Sequence, residues 1–287
     1  MNSAAIVLVL LAAFSHAGWN LIAKRLSGYD NIAYLWLVGA CSTALYAPLT
    51  LAAVLIWRPR FGWVELGFTA TASLLHLAYF LLLQRGYRAG DLSLVYPLAR
   101  GTGPMLSSLA AVLLFGERPG PWGIAGILFV GAGVFTLGLP DKGLTSLTAV
   151  WFGLASGLFI AAYTVWDKHA VSALAIPPLL YNWGEGVGGT AALTPFALRR
   201  HRRAAIHTLW KRHWRLITAC AVLTSLSYLL ILTALRFSDV SAIAPAREIS
   251  VLIGVVLGGR LLAEGHLPRR LLAAAAIATG VLAIAIG

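Results

Sequence analysis

Asp91-Leu-Ser-Leu-Val-Tyr-Pro97-Leu-Ala-Arg100 and Asp239-Val-Ser-Ala-Ile-Ala-Pro245-Ala-Arg247-Glu248 look like copies of one segment, with Asp, Ser and Pro recurring at a constant offset of 148 residues. In that register Arg100 falls opposite Glu248. Both segments are otherwise apolar. An ionised side chain in the hydrocarbon of a bilayer costs at least about 2.5 to 3.5 kcal/mol, so it persists only where a cavity, a partner or a ligand compensates it. The charges therefore point to a path through a membrane.

The surrounding composition agrees. Of 287 residues, 59% are apolar and only 11% charged, against roughly 25% charged in soluble domains, and the mean hydropathy is +0.82. Ten apolar stretches, at 3–23, 32–56, 64–84, 92–114, 121–139, 147–166, 176–197, 214–235, 240–261 and 268–286, are each long enough to cross a hydrocarbon core of about 30 Å. The sequence thus predicts an all-α integral membrane protein of ten transmembrane helices, with connections too short for a soluble domain. Ser15-His16-Ala17 resembles a signal cleavage site, but no Lys or Arg precedes it, so the first stretch reads as helix 1. Cys41 and Cys220 lie within predicted spans and lack metal-ligand spacing, so they read as packing residues. No cofactor or metal site is expected.

A net charge of +12 would suggest nucleic acid in a soluble protein. Here, of 22 Lys and Arg, 15 lie in, or within three residues of, the connections after odd-numbered helices and 5 in those after even-numbered ones. The positive-inside rule then leaves both termini outside a bacterial-type inner membrane. The basic connection from Arg199 to Arg215 reads as an orientation signal and an anchor to anionic lipid, not as a nucleic-acid site.

The repeat extends beyond the opening pair. Tyr34, Trp36, Gly39 and Pro48 align with Tyr181, Trp183, Gly186 and Pro195 at an offset of 147, as do Glu117 with Glu264 and Gly133 with Gly280; Lys24 aligns with Lys168 at 144 and Arg88 with Arg236 at 148. Each half, 1–142 and 143–287, then holds five helices. An odd number inserts the second copy from the opposite face, the inverted-repeat architecture of secondary transporters, with the site near the midplane. Arg100 and Glu248 each lie about 12 Å along their helices at 1.5 Å per residue, so they approach the middle of the bilayer from opposite faces.

Helix 4 carries Ser93, Pro97, Arg100, Pro104 and Ser107 on one face, and a polar stripe in lipid must face protein or water. Pro97 and Pro245 are helix breaks that free backbone carbonyls, tolerated where a cavity or neighbour satisfies them. Arg100 either clamps an anionic ligand or pairs with Glu248 or Glu185. Glu248 continues the Ser241 and Pro245 face and is expected in the cavity, with Arg247 about 100° away from it. Glu248 and Glu185 are candidate proton-coupling carboxylates, because burial and a nearby Arg pull a carboxyl in opposite directions. His16, Trp19, Asn20, His76, Tyr79, Tyr163 and Tyr228 are mid-membrane polar or aromatic residues that either wall a substrate cavity or bond neighbouring helices.

Ala17-Gly-Trp-Asn20 followed by Lys24, Pro97 with Gly116-Glu117-Arg118-Pro119, Pro245 with Ala263-Glu264, and the Gly-rich helices 5 and 10 resemble the ten-helix, EamA-like branch of the drug/metabolite transporter superfamily. The resemblance implies a basket-like bundle with a central cavity lined by helices 1, 3, 4, 6, 8 and 9, with helices 2 and 7 less securely in that lining. It also implies alternating-access transport, often export of amino acids or other metabolites, and a capping or gating role for Glu117 and Glu264. The expected substrate is an amino acid or other small zwitterion or organic anion, with protons as a candidate coupling ion and a monomer or homodimer as the assembly. The competing readings are a flippase for a lipid-linked phosphate and a scaffold subunit without substrate. A membrane enzyme is not expected, since no nucleophile–base arrangement or metal-ligand motif is present.

Overall fold

The structure is a computed structural model that describes residues 3–26, 28–89, 92–138, 147–250, 253 and 267–286. The described residues form ten helical segments: α1 (Ser3–Arg25), α2 (Asn31–Trp57), α3 (Trp63–Ala89), α4 (Leu92–Phe115), α5 (Pro121–Gly138), α6 (Leu147–Ser172), α7 (Pro178–Ala197), α8 (Arg200–Leu235), α9 (Val240–Ala246) and α10 (Leu267–Ile286). Six of them, α1, α2, α3, α4, α6 and α8, contain a stretch long and apolar enough to cross a membrane, while α5 and α10 contain shorter apolar stretches. Exposed Leu, Phe, Trp and Val side chains cover the outer surface, the reverse of a soluble protein and the arrangement lipid favours.

Helix ends follow local chemistry. Asp30 caps α2, its Oδ1 accepting from the Ala33 N–H at 2.9 Å, which satisfies one of the orphan donors of the first turn. The α2 terminus closes on Arg58 in the left-handed region at φ 43°. After α4, Gly116 at φ 67° turns the chain so that Glu117 points back. Its two carboxylate oxygens accept from the Val240 and Ser241 N–H groups, both at 2.9 Å, at the start of α9. A negative charge there also complements the helix dipole. Glu264, its repeat mate, lies outside the described residues.

Three elements depart from the sequence expectation. The basic segment before predicted helix 8 is not a loop. It is helical from Arg200 and joins the membrane part of α8 through a break at His213, where φ is −135° and ψ 22°. Helix α6 runs beyond 166 to Ser172, which carries Asp167 and Lys168 into the bundle. Predicted helix 9 breaks near its middle: the Glu248 N–H bonds Pro245 O at 2.9 Å and the Ser250 N–H bonds Arg247 O at 3.1 Å. Such i−3 bonds tighten the turn to about 120° per residue in place of about 100°.

The helices pack as a ring around a central space: α1 on α8, α3 on α6, α2 against α7, α4 on α6 and α9, and α5 on α10. Two crossings rest on small residues. At α5–α10, a Cβ on Gly126 would sit 2.5 Å from Gly280 O, and one on Gly133 would sit 2.8 Å from Ala273 O. At α2–α7, Gly39 faces Thr190 and Gly186 faces Thr43, and Trp36 and Trp183 each reach across, to Thr194 Oγ1 and to Thr43 O, both at 2.9 Å. Close backbone approach through small residues is how membrane helices gain packing contact.

Candidate functional site

A cavity of about 200 Å³ lies at the centre of the ring. Its lining runs from Tyr34 and Leu193, within about a turn of one end of α2 and α7, down to Glu185, Arg100 and Arg247. The wall is largely apolar, from Trp19, Leu35, Val38, Leu77, Tyr79 and Phe80, so charges within it act with little screening from water.

Arg100 and Glu248 meet, which is the pairing the sequence held as the alternative to a ligand clamp. Arg100 Nη2 lies 2.9 Å from Glu248 Oε1 and its Nε–H donates to Oε2 at 3.0 Å, a two-point pair. Nη2 also donates to Ser250 Oγ at 3.4 Å. The side chains are 4% and 1% exposed, and the fork geometry of guanidinium on carboxylate gives such pairs their directionality. One edge of Arg100 reaches the cavity, whereas Glu248, expected on the cavity face, is absent from the lining.

Arg247 takes that place. The tightened turn after Pro245 shifts the register that a continuous helix would have kept, and it turns Arg247 inward with its guanidinium 5.9 Å from the centre of the Tyr228 ring. Among the described residues no carboxylate lies within ion-pair distance of it.

The residue that sequence reading missed is Asp167. It is fully buried at 0% exposure and joins three helices: Tyr181 OH donates to Oδ1 at 2.6 Å, Tyr228 OH donates to Oδ2, and His76 Nε2 lies 3.2 Å from Oδ2. The other ring nitrogen of His76, Nδ1, lies 3.7 Å from Glu185 Oε1. His76 is stacked on Tyr163 with centroids 4.0 Å apart. Next to Asp167, Lys168 turns the other way and donates to Leu235 O and Ser238 O at 2.9 and 2.8 Å, closing the α8 C-terminus.

Of the remaining sequence candidates, His16, Trp19, His76, Tyr79, Tyr163, Tyr228 and Glu185 line the cavity. Asn20 does not; its Nδ2 donates to His16 O at 2.8 Å within α1. Pro245 sits at the break in α9. Pro97 lies within α4, and its side chain is outside the described set. The weaker expectation for helices 2 and 7 is corrected: Ser42 and Gly39 of α2 and Asn182, Glu185 and Gly189 of α7 are part of the wall. The glycines keep these two helices close to each other and leave the space beside them open.

The profile of the EamA-like transporter family matches the chain twice, over residues 3–139 and 147–286. The chain belongs to this family. Its members are multi-pass membrane transporters of small molecules, and the family assignment fits a bundle whose charged groups surround a cavity. Among curated proteins none matches the chain. A solved structure described only as "Crystal structure of protein" shares the fold, with a TM-score of 0.79 over 100% of this chain and 98% of that one at 15% identity. EamA-like membership and cavity geometry together set the terms for what the residues do.

Proposed function

We propose that the protein is a secondary transporter of small zwitterions or organic anions, amino acids foremost, that exports them across a bacterial-type inner membrane by alternating access. Two inverted five-helix repeats, 1–142 and 143–287, give ten spans in this reading. Its support is that the close contacts recur at offset 147. Gly39 on Thr190 mirrors Gly186 on Thr43, and Gly126 on Gly280 mirrors Gly133 on Ala273. A two-fold relation between halves lets the bundle rock about a fixed midplane site.

The observation that carries the substrate class is Arg247 in an aromatic-walled cavity that also exposes Glu185. Arg100 is engaged by Glu248 on two atoms, so the anionic group of a substrate goes to Arg247, which among the described residues has no carboxylate within ion-pair distance and stands over the Tyr228 ring. An ammonium group goes to Glu185, and the apolar part rests on Trp19, Tyr79 and Phe80. A cavity of about 200 Å³ suits a molecule of amino-acid size.

Reconstituted protein, assayed for exchange of radiolabelled amino acids, carboxylates and phosphonates, tests the reading. Arg247→Ala is expected to weaken exchange by roughly 10- to 100-fold, since a hydrogen bond to a charged group is worth about 1.5 to 3 kcal/mol, with Arg247→Lys in between. Wild-type exchange by an Arg247→Ala protein removes that residue from the site, and no exchange of any compound removes the transport reading.

A further inference from the structure

Two carboxylates flank one imidazole beside the cavity. His76 Nε2 is 3.2 Å from Asp167 Oδ2 and His76 Nδ1 is 3.7 Å from Glu185 Oε1. Asp167 has no contact with the cavity, whereas Glu185 lines it and its side chain is 17% exposed. The other polar groups facing this cluster are Tyr163 from α6, Tyr181 from α7, Tyr228 from α8 and Arg247 after α9. Arg100 from α4 and His16 from α1 stand on the same cavity wall. The duplicated scaffold does not repeat the cluster: at the repeat offsets, Asp167 corresponds to Ala23 and Glu185 to Val38. It is an addition to one half.

A neutral imidazole has one N–H and one lone pair. Placed between two carboxylates, it satisfies one and turns its lone pair toward the other. One more proton gives an imidazolium that donates to both. Tyr181 and Tyr228 already donate to Asp167, which fixes the position of that carboxylate and so of His76 Nε2. The exchangeable proton is then the one on Nδ1, on the Glu185 side, where cavity water has access.

We propose that His76, with Glu185 and Asp167, is the proton-binding site of the carrier. It holds one proton when the cavity is empty and gives it up when the ammonium group of a substrate reaches Glu185. The proposal rests on the transporter reading above. In the step, the arriving cation replaces the positive charge of the imidazolium beside Glu185. The Nδ1 proton passes by way of the Glu185 carboxylate to cavity water, and His76 stays neutral with its Nε2–H on Asp167. Charge in the cluster is unchanged, and one proton leaves for each ammonium group bound. Asp167 is a positioning residue, since it acts through His76 and touches no substrate.

The test uses the full chain in liposomes with radiolabelled L-phenylalanine as probe and a trapped pH-sensitive dye. Wild-type protein is expected to accumulate the probe against its gradient when a proton gradient is imposed and to release protons on binding it. His76→Gln and Asp167→Asn, checked for folding by size exclusion, are expected to keep measurable probe-for-probe exchange while losing both gradient-driven accumulation and proton release. Asp167→Asn keeps the side-chain shape, and His76→Gln provides a second route should that variant fail to fold. Wild-type exchange without proton release, or accumulation that persists in a folded variant, overturns the proton site and leaves the transport reading standing. Loss of exchange itself in both folded variants assigns the residues to substrate binding and also overturns it. Absence of exchange by the wild type of every compound in the panel above, L-phenylalanine included, defeats both readings together.

Discussion

The bundle has a sealed side and an open side, and each treats a buried charge differently. On the sealed side α4, α5, α9 and α10 are in contact, Arg100 is closed onto Glu248, and Gly126 and Gly280 bring two backbones together. On the open side α2 and α7 join α1, α3, α6 and α8 around the cavity, where Arg247 and Glu185 stand in the wall. A charge whose partner is fixed serves the fold. A charge aimed into a cavity serves a ligand, and the difference is one of geometry, since both kinds sit within a few residues of each other in Arg247 and Glu248.

The largest expected effect comes from opening the sealed pair. Arg100→Ala or Glu248→Ala leaves one buried charge uncompensated and is expected to cost about 3 to 5 kcal/mol, read as a large fall in Tm in detergent or loss of a monodisperse peak. Replacing both residues by Met is expected to restore most of that stability, because the cost lies in the orphaned charge. Single variants that melt like the wild type would mean that the seam does not depend on the pair.

A smaller effect separates the two sides through their glycines. Gly126→Ala places a methyl 2.5 Å from Gly280 O and from Ile284 Cγ1, and such overpacking costs about 1 to 3 kcal/mol. Gly189→Ala lies in the cavity wall with nothing within 4 Å of the added atom, so it is expected to leave Tm unchanged or raise it, as Ala outranks Gly in a helix by about 0.5 to 1 kcal/mol. Equal melting of the two variants would contradict the division into sealed and open sides.

What the sequence made legible follows the same division. Helix positions were readable because a spanning helix needs about 20 apolar residues, and the Arg100–Glu248 meeting is consistent with the repeat register, which sets the two residues equally far along their segments. Asp167 was hidden because it stands next to Lys168 at the end of an apolar run, where a pair of charges reads as a helix end. Adjacent residues on a helix differ by about 100°, so one turns to the α8 terminus and the other to the core. The exchange of Arg247 for Glu248 was hidden for a related reason: the periodicity was carried through Pro245, where the helix tightens. The weight of α2 and α7 in the cavity wall depends on tertiary packing that no single-helix pattern records.

The smallest effect belongs to an ion pair where α2 and α8 begin, the counterpart in chemistry to Arg100–Glu248. Arg202 Nε lies 3.2 Å from Asp30 Oδ2, with side chains 19% and 34% exposed, and it ties the basic start of α8 to the cap of α2. Partial burial pushes the Asp30 carboxyl up, but the Ala33 N–H and the Arg202 guanidinium together outweigh it and hold the group below its usual value. A carboxyl held low in the folded state stabilises above the unfolded value of about 3.9 and loses that contribution as pH falls through the folded value. Asp30→Asn keeps a good N-cap while removing the charge, so its Tm deficit at neutral pH isolates the pair, worth about 0.2 to 1 kcal/mol for an exposed contact. The deficit is expected to shrink in high salt and to close below about pH 4 as the wild-type carboxyl takes up its proton. A deficit that stays constant into acid would assign the effect to the cap, and the comparison with Arg100–Glu248 would then rest on burial alone.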